Sequence, residues 1–216
     1  MRRKQPTIVQ VGDPVLRQRA RALTIEEIRS RQIRQLIEKM RQIMYDAPGV
    51  GLAAPQIGLS LQIAVIEDCE EYLEEISDEY LAERERKAIP FHVLINPTII
   101  DDRPSKEERP AKHDHAARES AGENVIFYEG CLSLAGFTAL VPRARRVRVA
   151  CLDEHGKRKT IEASGWYARI LQHEIDHLYG CLYIDRMDTR TFASLDNFDQ
   201  FSKGKPIEEI LADLTG

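Results

Sequence analysis

The chain has 216 residues, long enough to bury a core, and is most simply read as a single domain spanning 1–216. Its hydrophobic fraction of 43% is ordinary for a globular protein, and no apolar run approaches the length of a membrane span. A formal net charge of −4 gives no compositional reason to expect nucleic acid as a direct partner.

The first residues, Met1-Arg2-Arg3-Lys4-Gln5-Pro6, are basic, but no apolar segment of the signal-peptide kind follows. The Arg-rich stretch beyond them carries Glu26 and Glu27, which argues against a transit peptide. A cytoplasmic location is expected. The four cysteines (Cys69, Cys131, Cys151 and Cys181) form no C-x-x-C pair and should be reduced there.

Thr24-Ile25-Glu26-Glu27 has the T-x-x-E form of a capping box and opens a predicted helix. Ile33, Leu36, Ile37, Met40, Ile43 and Met44 recur at helical spacing, so this helix should run to about Asp46 with one face on the core. Ala47-Pro48-Gly49 ends it. An uncharged Gly-rich loop, Gly49 to Gly58, follows. Strands are predicted at Leu61–Ile66, Val93–Ile100 and Val125–Tyr128. Leu140 to Leu152 reads as one further strand, with Val147, Val149 and Cys151 inward and arginines between them. Asp153-Glu154-His155-Gly156 is a turn, and Lys157 to Ala163 should pair back as a hairpin.

Ser164 can cap a helix that begins near Gly165 and ends at Gly180. Trp166, Ile170, His173 and His177 share one stripe of it, pointing towards the interior. A short terminal helix is expected over Ile207 to Leu214. Two segments read as surface insertions, near 67–90 and 101–124, and 189–216 reads as a variable tail. Tyr72, Ile76 and Tyr80 at i, i+4, i+8 suggest a short amphipathic helix in the first insertion. His113 and His115 lie in the second and read as a solvated pair.

His173-Glu174-Ile175-Asp176-His177 has the form H-E-x-x-H on the helix just described. Two histidines one turn apart can reach one cation, and the glutamate beside the first can act as general base on a water there. Such a site needs a third protein ligand. Asp185 or Asp188 downstream would make it a zinc peptidase. Alternatively Cys131, in Glu129-Gly130-Cys131-Leu132-Ser133 just past a predicted strand, can project a thiolate into a cleft. The motif alone leaves both open, and also allows a non-catalytic, metal-stabilised peptide-binding module.

Three segments in order resemble the signature motifs of the peptide deformylases: Gly49 to Gln56 (G-x-G-L-A-A-P-Q), Glu129 to Ser133 (E-G-C-L-S) and Gln172 to His177 (Q-H-E-x-D-H). Leu140-Val141-Pro142-Arg143 and Gly165 to Leu171 also look similar, so the resemblance covers most of residues 7–188. It implies an α+β fold of small mixed or antiparallel sheets packed around a central metal-binding helix, with an N-terminal helix. It implies one divalent metal on Cys131, His173 and His177, iron(II) first, with zinc, nickel or cobalt also able to occupy the site.

The substrate so implied is the N-terminal formylmethionine of newly made polypeptides, with the ribosome as a transient partner. Glu174 would move the proton from water to the departing amine. Gln56 and the backbone N–H of Leu132 would donate to the oxyanion. Glu129 and Arg143 would form a supporting salt bridge. Val50 and Gly51 would lie along the peptide, and Val50, Phe127, Trp166 and Ile170 are candidate walls for methionine. Two departures stand out: Ala135 replaces a proline frequent in this family, and no arginine stands near Thr138. A zinc-dependent peptidase remains the alternative. The tail from Pro206 carries Glu208, Glu209 and Asp213 and no basic residue, so docking on ribosomal RNA through a basic terminal helix is not expected.

Overall fold

A computed structural model describes residues 7–47, 49–100 and 123–215. The Thr24 capping box forms with both reciprocal bonds, but the helix it opens, α1, spans only Ile25–Ile28. Ser30 takes an extended conformation and accepts from the N–H of Ile33 at 3.2 Å, capping a second helix, α2, over Arg31–Asp46. The expected single helix is thus two, because Ser30 competes locally for the backbone donor that would have continued the first. Ile33, Ile37, Met40 and Met44 of α2 are buried as their spacing predicts.

Past α2 the chain forms β1 (Gly51–Ala53) and β2 (Ile63–Asp68), a short helix α3 (Asp78–Glu83), then β3 (Ile89–Ile100). Next come β4 (Asn124–Glu129), β5 (Phe137–Ala144), β6 (Arg146–Leu152) and β7 (Arg158–Ser164). Helix α4 covers Gly165–Leu178, followed by β8 (Ala193–Ser194), α5 (Leu195–Phe201) and α6 (Ile207–Thr215). Two antiparallel sheets result, in the orders β1-β2-β3-β6-β7 and β4-β5-β8. This is an α+β fold around the metal-motif helix α4. Among the described residues, no helix is long and apolar enough to cross a membrane.

The alternation of side chains explains the layering. Leu52, Ile63, Val65, Val93 and Ile95 point to one face of the larger sheet and pack on α2. Ala53, Ala64, Ile66 and Leu94 point to the other and pack under α4 with Ile170, Leu171 and Ile175. A sheet covered on both faces needs unbroken apolar runs, and Ile63-Ala64-Val65-Ile66 is one. Each of the Leu, Ile and Val side chains among these, fully buried, contributes roughly 1.5–3 kcal/mol. Leu94→Ala would cost about 2–5 kcal/mol by opening a cavity beneath the metal-motif helix.

Two more predicted elements differ, and one helix is new. Leu140 to Leu152 is two strands in different sheets, parted at Arg145, whose carbonyl accepts from Gly165 N–H at 2.8 Å. Ala139 and Val141 of β5 pack on Tyr183, whereas Val147, Val149 and Cys151 of β6 lie under α4, and one straight strand could not serve both. The helix expected through Tyr72, Ile76 and Tyr80 is instead a 3-10 turn at Glu70–Tyr72 and then α3, which Ser77 caps; Tyr80 is exposed. Helix α5 was not foreseen. His113 and His115, with most of the second insertion, lie outside the described residues.

Candidate functional site

Helix α4 presents the site from above the larger sheet. Its first residue, Gly165, has φ of 57°, and a Cβ there would come within 2.4 Å of Glu85 Cβ, so only glycine fits where the chain turns into the helix. The N–H of Trp166 donates to the Arg84 carbonyl at 2.8 Å, which ties the helix start to the first insertion. One turn spacing then places His173 and His177 side by side, ring centroids 5.0 Å apart. Cys131 arrives from the other sheet, just past the end of β4.

The ligating atoms of Cys131, His173 and His177 all lie within 4.8 Å of one another. Cys131 Sγ is 3.3 Å from His177 Nε2. His173 Nδ1 stands 3.0 Å from Glu129 Oε2, which leaves its Nε2 for the centre. A thiolate and two imidazoles make a soft, three-donor set with room for a fourth position, and these residues fit one divalent metal. Asp185 and Asp188 are not near this cluster. Asp185 accepts from Arg17 and from Leu182 N–H, and Asp188 pairs with Arg190. The downstream carboxylate that a zinc peptidase would need is therefore engaged elsewhere.

Glu129 is the hub behind the metal set. Its carboxylate accepts from Arg143 Nε and Nη2 at 2.9 and 3.0 Å, and from Arg169 Nη1 at 2.6 Å. Arg143 and Arg186 in turn grip Asp176 of the H-E-x-x-H segment. Burial alone would raise the Glu129 carboxyl, but Arg143 and His173 outweigh it and hold it well below the ordinary range. Burial pushes Arg169 down to about 10, still charged at neutral pH. Burial also drives His177 well below its ordinary value. For His173 the Cys131 sulfur and Glu129 overcome burial and hold it well above.

Glu174 is 4% exposed, and its Oε2 has no hydrogen-bond partner among the described residues. Burial pushes it up to about 7, near the value suited to a general base at neutral pH. A cation on the adjacent ligands would favour its charged form. Gly51 lies against it: a Cβ at position 51 would stand 2.3 Å from Glu174 Oε1. Gln56 is fully enclosed. Its Oε1 accepts from Ala53 N–H at 2.8 Å, so its Nε2 is turned to Cys131 Sγ, 3.6 Å away. Leu132 opens a 3-10 turn, Leu132–Leu134, so its N–H has no partner within that turn.

These groups form the floor of a largely apolar cavity of about 460 Å³. Val50, Gly51, Trp166 and Ile170 line its sides with Gln56, Leu132 and Glu174. Phe127 does not line it. Its ring lies under the guanidinium groups of Arg84 and Arg169, at 4.3 and 5.2 Å. Arg143 and His177 lie behind the cavity wall.

Several residues escaped the sequence reading. Arg169 lines the cavity and anchors Glu129, and Asp176 with the half-buried Arg186 completes the ion network; these charge pairs join residues 10 to 40 positions apart. Leu134, Phe137 and Leu195 line the mouth of the cavity. A helical count back from His173 would have put Arg169 on the same face.

A family model described as polypeptide deformylase matches residues 6–193. The chain is 42% identical to chloroplastic peptide deformylase 1A of Solanum lycopersicum over 194 residues, covering 90% of this chain and 64% of that protein. It therefore spans just under two thirds of that relative's length. A crystal structure of a peptide deformylase from Synechococcus elongatus in complex with actinonin superposes with a TM-score of 0.64 at 34% identity, over 96% of this chain and 91% of that one. A class I type b peptide deformylase from Acinetobacter baumannii with Met-Ala-Ser bound gives a TM-score of 0.66 at 26% identity, over 84% and 97%. By motif order, by architecture and by the extent of these matches, the chain belongs to the polypeptide deformylase family.

Proposed function

We propose that this protein hydrolyses the formyl group from the N-terminal formylmethionine of newly made polypeptides, releasing formate and a free amine. The observation that carries the proposal is the convergence of Cys131, His173, Glu174 and Gln56 on one apolar cavity, with His177 completing the three-donor cluster behind its wall. The Met-Ala-Ser peptide in the Acinetobacter relative is a formyl-free product of this class and supports the same substrate here.

A divalent cation on Cys131, His173 and His177 supplies Lewis acidity that makes water nucleophilic near neutral pH. The family resemblance favours iron(II), and the donor set also suits zinc, nickel or cobalt. The chain's own residues do the rest. Strand β1 is the edge of its sheet, so Val50 and Gly51 can pair with the peptide as an added strand. Val50, Trp166 and Ile170 offer apolar walls to the methionine side chain. Glu174 takes a proton from the attacking water as the C–O bond forms. Gln56 Nε2 and the Leu132 N–H donate to the oxyanion that develops on the formyl oxygen. The C–N bond then breaks, and Glu174 returns the proton to the departing amine.

Formate release from a formyl-Met peptide, by protein purified without oxygen and with its metal counted, tests this reading. Cys131→Ala should lose both metal and turnover. A zinc peptidase with a downstream ligand would keep its metal in that variant, and full occupancy without formate release would overturn the proposal.

The proposed action is cytoplasmic, on nascent chains, and fractionation of the native cell checks it. Helix α6 carries Glu208 and Glu209 in its first turn, and Lys205 beside it already pairs with Glu209 and Asp213. Transient ribosome contact through this helix as a basic anchor is therefore not proposed. A salt-sensitive ribosome affinity lost on deleting residues 206–216 would overturn that statement.

A further inference from the structure

The two groups assigned to the oxyanion come from different parts of the fold. Gln56 stands in the 3-10 turn Ala54–Ile57 after β1 of the larger sheet. Leu132 opens the 3-10 turn Leu132–Leu134 after β4 of the smaller one. Among the described residues no strand pairing joins the two sheets, so the spacing of these donors is set by contacts outside them. Two donors serve one oxygen only while that spacing is held.

The N-terminal segment ties the two turns together. The N–H of Val9 donates to the Gln56 carbonyl at 2.9 Å, and the N–H of Val11 donates to the Ser133 carbonyl at 2.7 Å. Between them the Gln10 side chain grips the second turn at both ends. Its Nε2 donates to the Leu132 carbonyl at 3.0 Å, and its Oε1 accepts from the Ala135 N–H at 3.4 Å. The same Nε2 also faces the Ile8 carbonyl, at 3.5 Å. Two carbonyls on the nitrogen and an N–H on the oxygen fix the amide this way round, because a flip would set like against like at each contact. Val9, Gln10 and Val11 do not line the cavity, and the chemistry above does not use them.

Gln10 is exposed, so water can satisfy the same backbone groups when the side chain is removed. Water satisfies a carbonyl without fixing its position. The clamp therefore adds little to folding and acts on geometry. We propose that Gln10 is a positioning residue for the oxyanion site: it clamps the Leu132–Leu134 turn to the segment that also holds Gln56, and so sets where the Leu132 N–H points. This rests on the deformylase reading and deepens it. The donors act on charge that exists only in the transition state, so a loosened clamp lowers kcat and leaves substrate binding unchanged.

The test compares the metal-loaded full chain with Gln10→Met, which keeps the length of the side chain and removes both of its bonds to the turn. For formate release from formyl-Met-Ala-Ser, kcat should fall about three- to tenfold, the scale of one net hydrogen bond. KM, metal content and the calorimetric affinity for the product Met-Ala-Ser should stay at parental values. A second variant supplies rescue. Ala135 has φ of −60°, the angle that a proline ring imposes. Adding Ala135→Pro to Gln10→Met stiffens the turn without the clamp and should bring kcat back near the parental value. An unchanged kcat in Gln10→Met, a loss of metal or product affinity in step with kcat, or a loss that Ala135→Pro leaves unrelieved overturns this inference and leaves the deformylase reading standing. No formate release by the parent chain overturns both.

Discussion

Glu129 holds His173: the carboxylate Oε2 stands 3.0 Å from the ring Nδ1, while Arg143 and Arg169 fix the same carboxylate from behind. The ring is thus oriented, and its basicity raised, by a group that never touches the metal. Glu129→Gln keeps the shape but removes the charge that matches two buried guanidiniums. Metal affinity should fall about 10- to 100-fold, measured by competition with a chelating dye. An affinity equal to that of the parent protein would remove Glu129 from any positioning role.

Glu174 is the only base in the proposed mechanism, and its Oε2 has no protein partner to lose among the described residues. Glu174→Gln is therefore expected to keep the metal and to bind a Met-Ala-Ser product peptide, while kcat falls by about 10²- to 10⁴-fold. Metal analysis, peptide calorimetry and formate release on the same sample read the three properties. A variant with undiminished kcat would show that Glu174 carries no proton in the reaction.

Gly51 offers a sharper probe of geometry. A methyl group at this position would stand 2.3 Å from Glu174 Oε1, far inside contact distance. Gly51→Ala must push the carboxylate away from the water it serves or shift β1 from the peptide. Either displacement should cut kcat/KM about 100-fold, since errors near 1 Å carry that penalty, with the metal retained. Near-parental kcat/KM would show that the carboxylate has slack that the structure denies.

The parts of this site readable in the sequence are those carried by short spacings. His173 and His177 need only an i, i+4 relation on one helix, and Cys131 and Gln56 stand in motifs that resemble a known family. What was not readable depends on distant partners. No glycine or gap marks a break between Leu140 and Leu152, and only the separate packing of Val141 and Val149 reveals two sheets. The apolar period begins only at Ile33, past Ser30, and the Ser30 side-chain cap divides the helix there. Phe127 has the look of a pocket wall, yet two guanidiniums cover its ring. Leu195 is an ordinary leucine at a helix start until the Gly136 carbonyl, far back in the chain, fixes it at the cavity rim.

The Glu129 cluster also sets an acid limit. Its folded carboxyl lies well below its ordinary value of 4.5, so the unfolded chain takes up a proton there that the folded chain refuses. The stability this provides is present above that value and is withdrawn as pH falls below it. Urea midpoints of the metal-free protein should decline as pH drops from about 6 to about 3, and Glu129→Gln should flatten that decline. Identical slopes in the two proteins would place the acid limit on other carboxylates.

The first insertion was read as a surface addition, but its end is built into the core. Asp68 is 0% exposed and accepts two bonds from Arg86, at 2.8 and 2.9 Å. The Arg86 guanidinium also lies 5.0 Å from the centre of the Trp166 ring, at the cavity wall. Arg86→Ala leaves a buried carboxylate unpaired and removes the support behind Trp166. Breaking one side of such a pair costs about 3–5 kcal/mol, far above the 0–1 kcal/mol of an exposed ion pair. Chemical denaturation should show that loss, and a double variant Asp68→Asn, Arg86→Ala should recover part of it, because no bare charge then stays buried. A single variant within 1 kcal/mol of the parent would return the segment to the status of a tolerated surface loop.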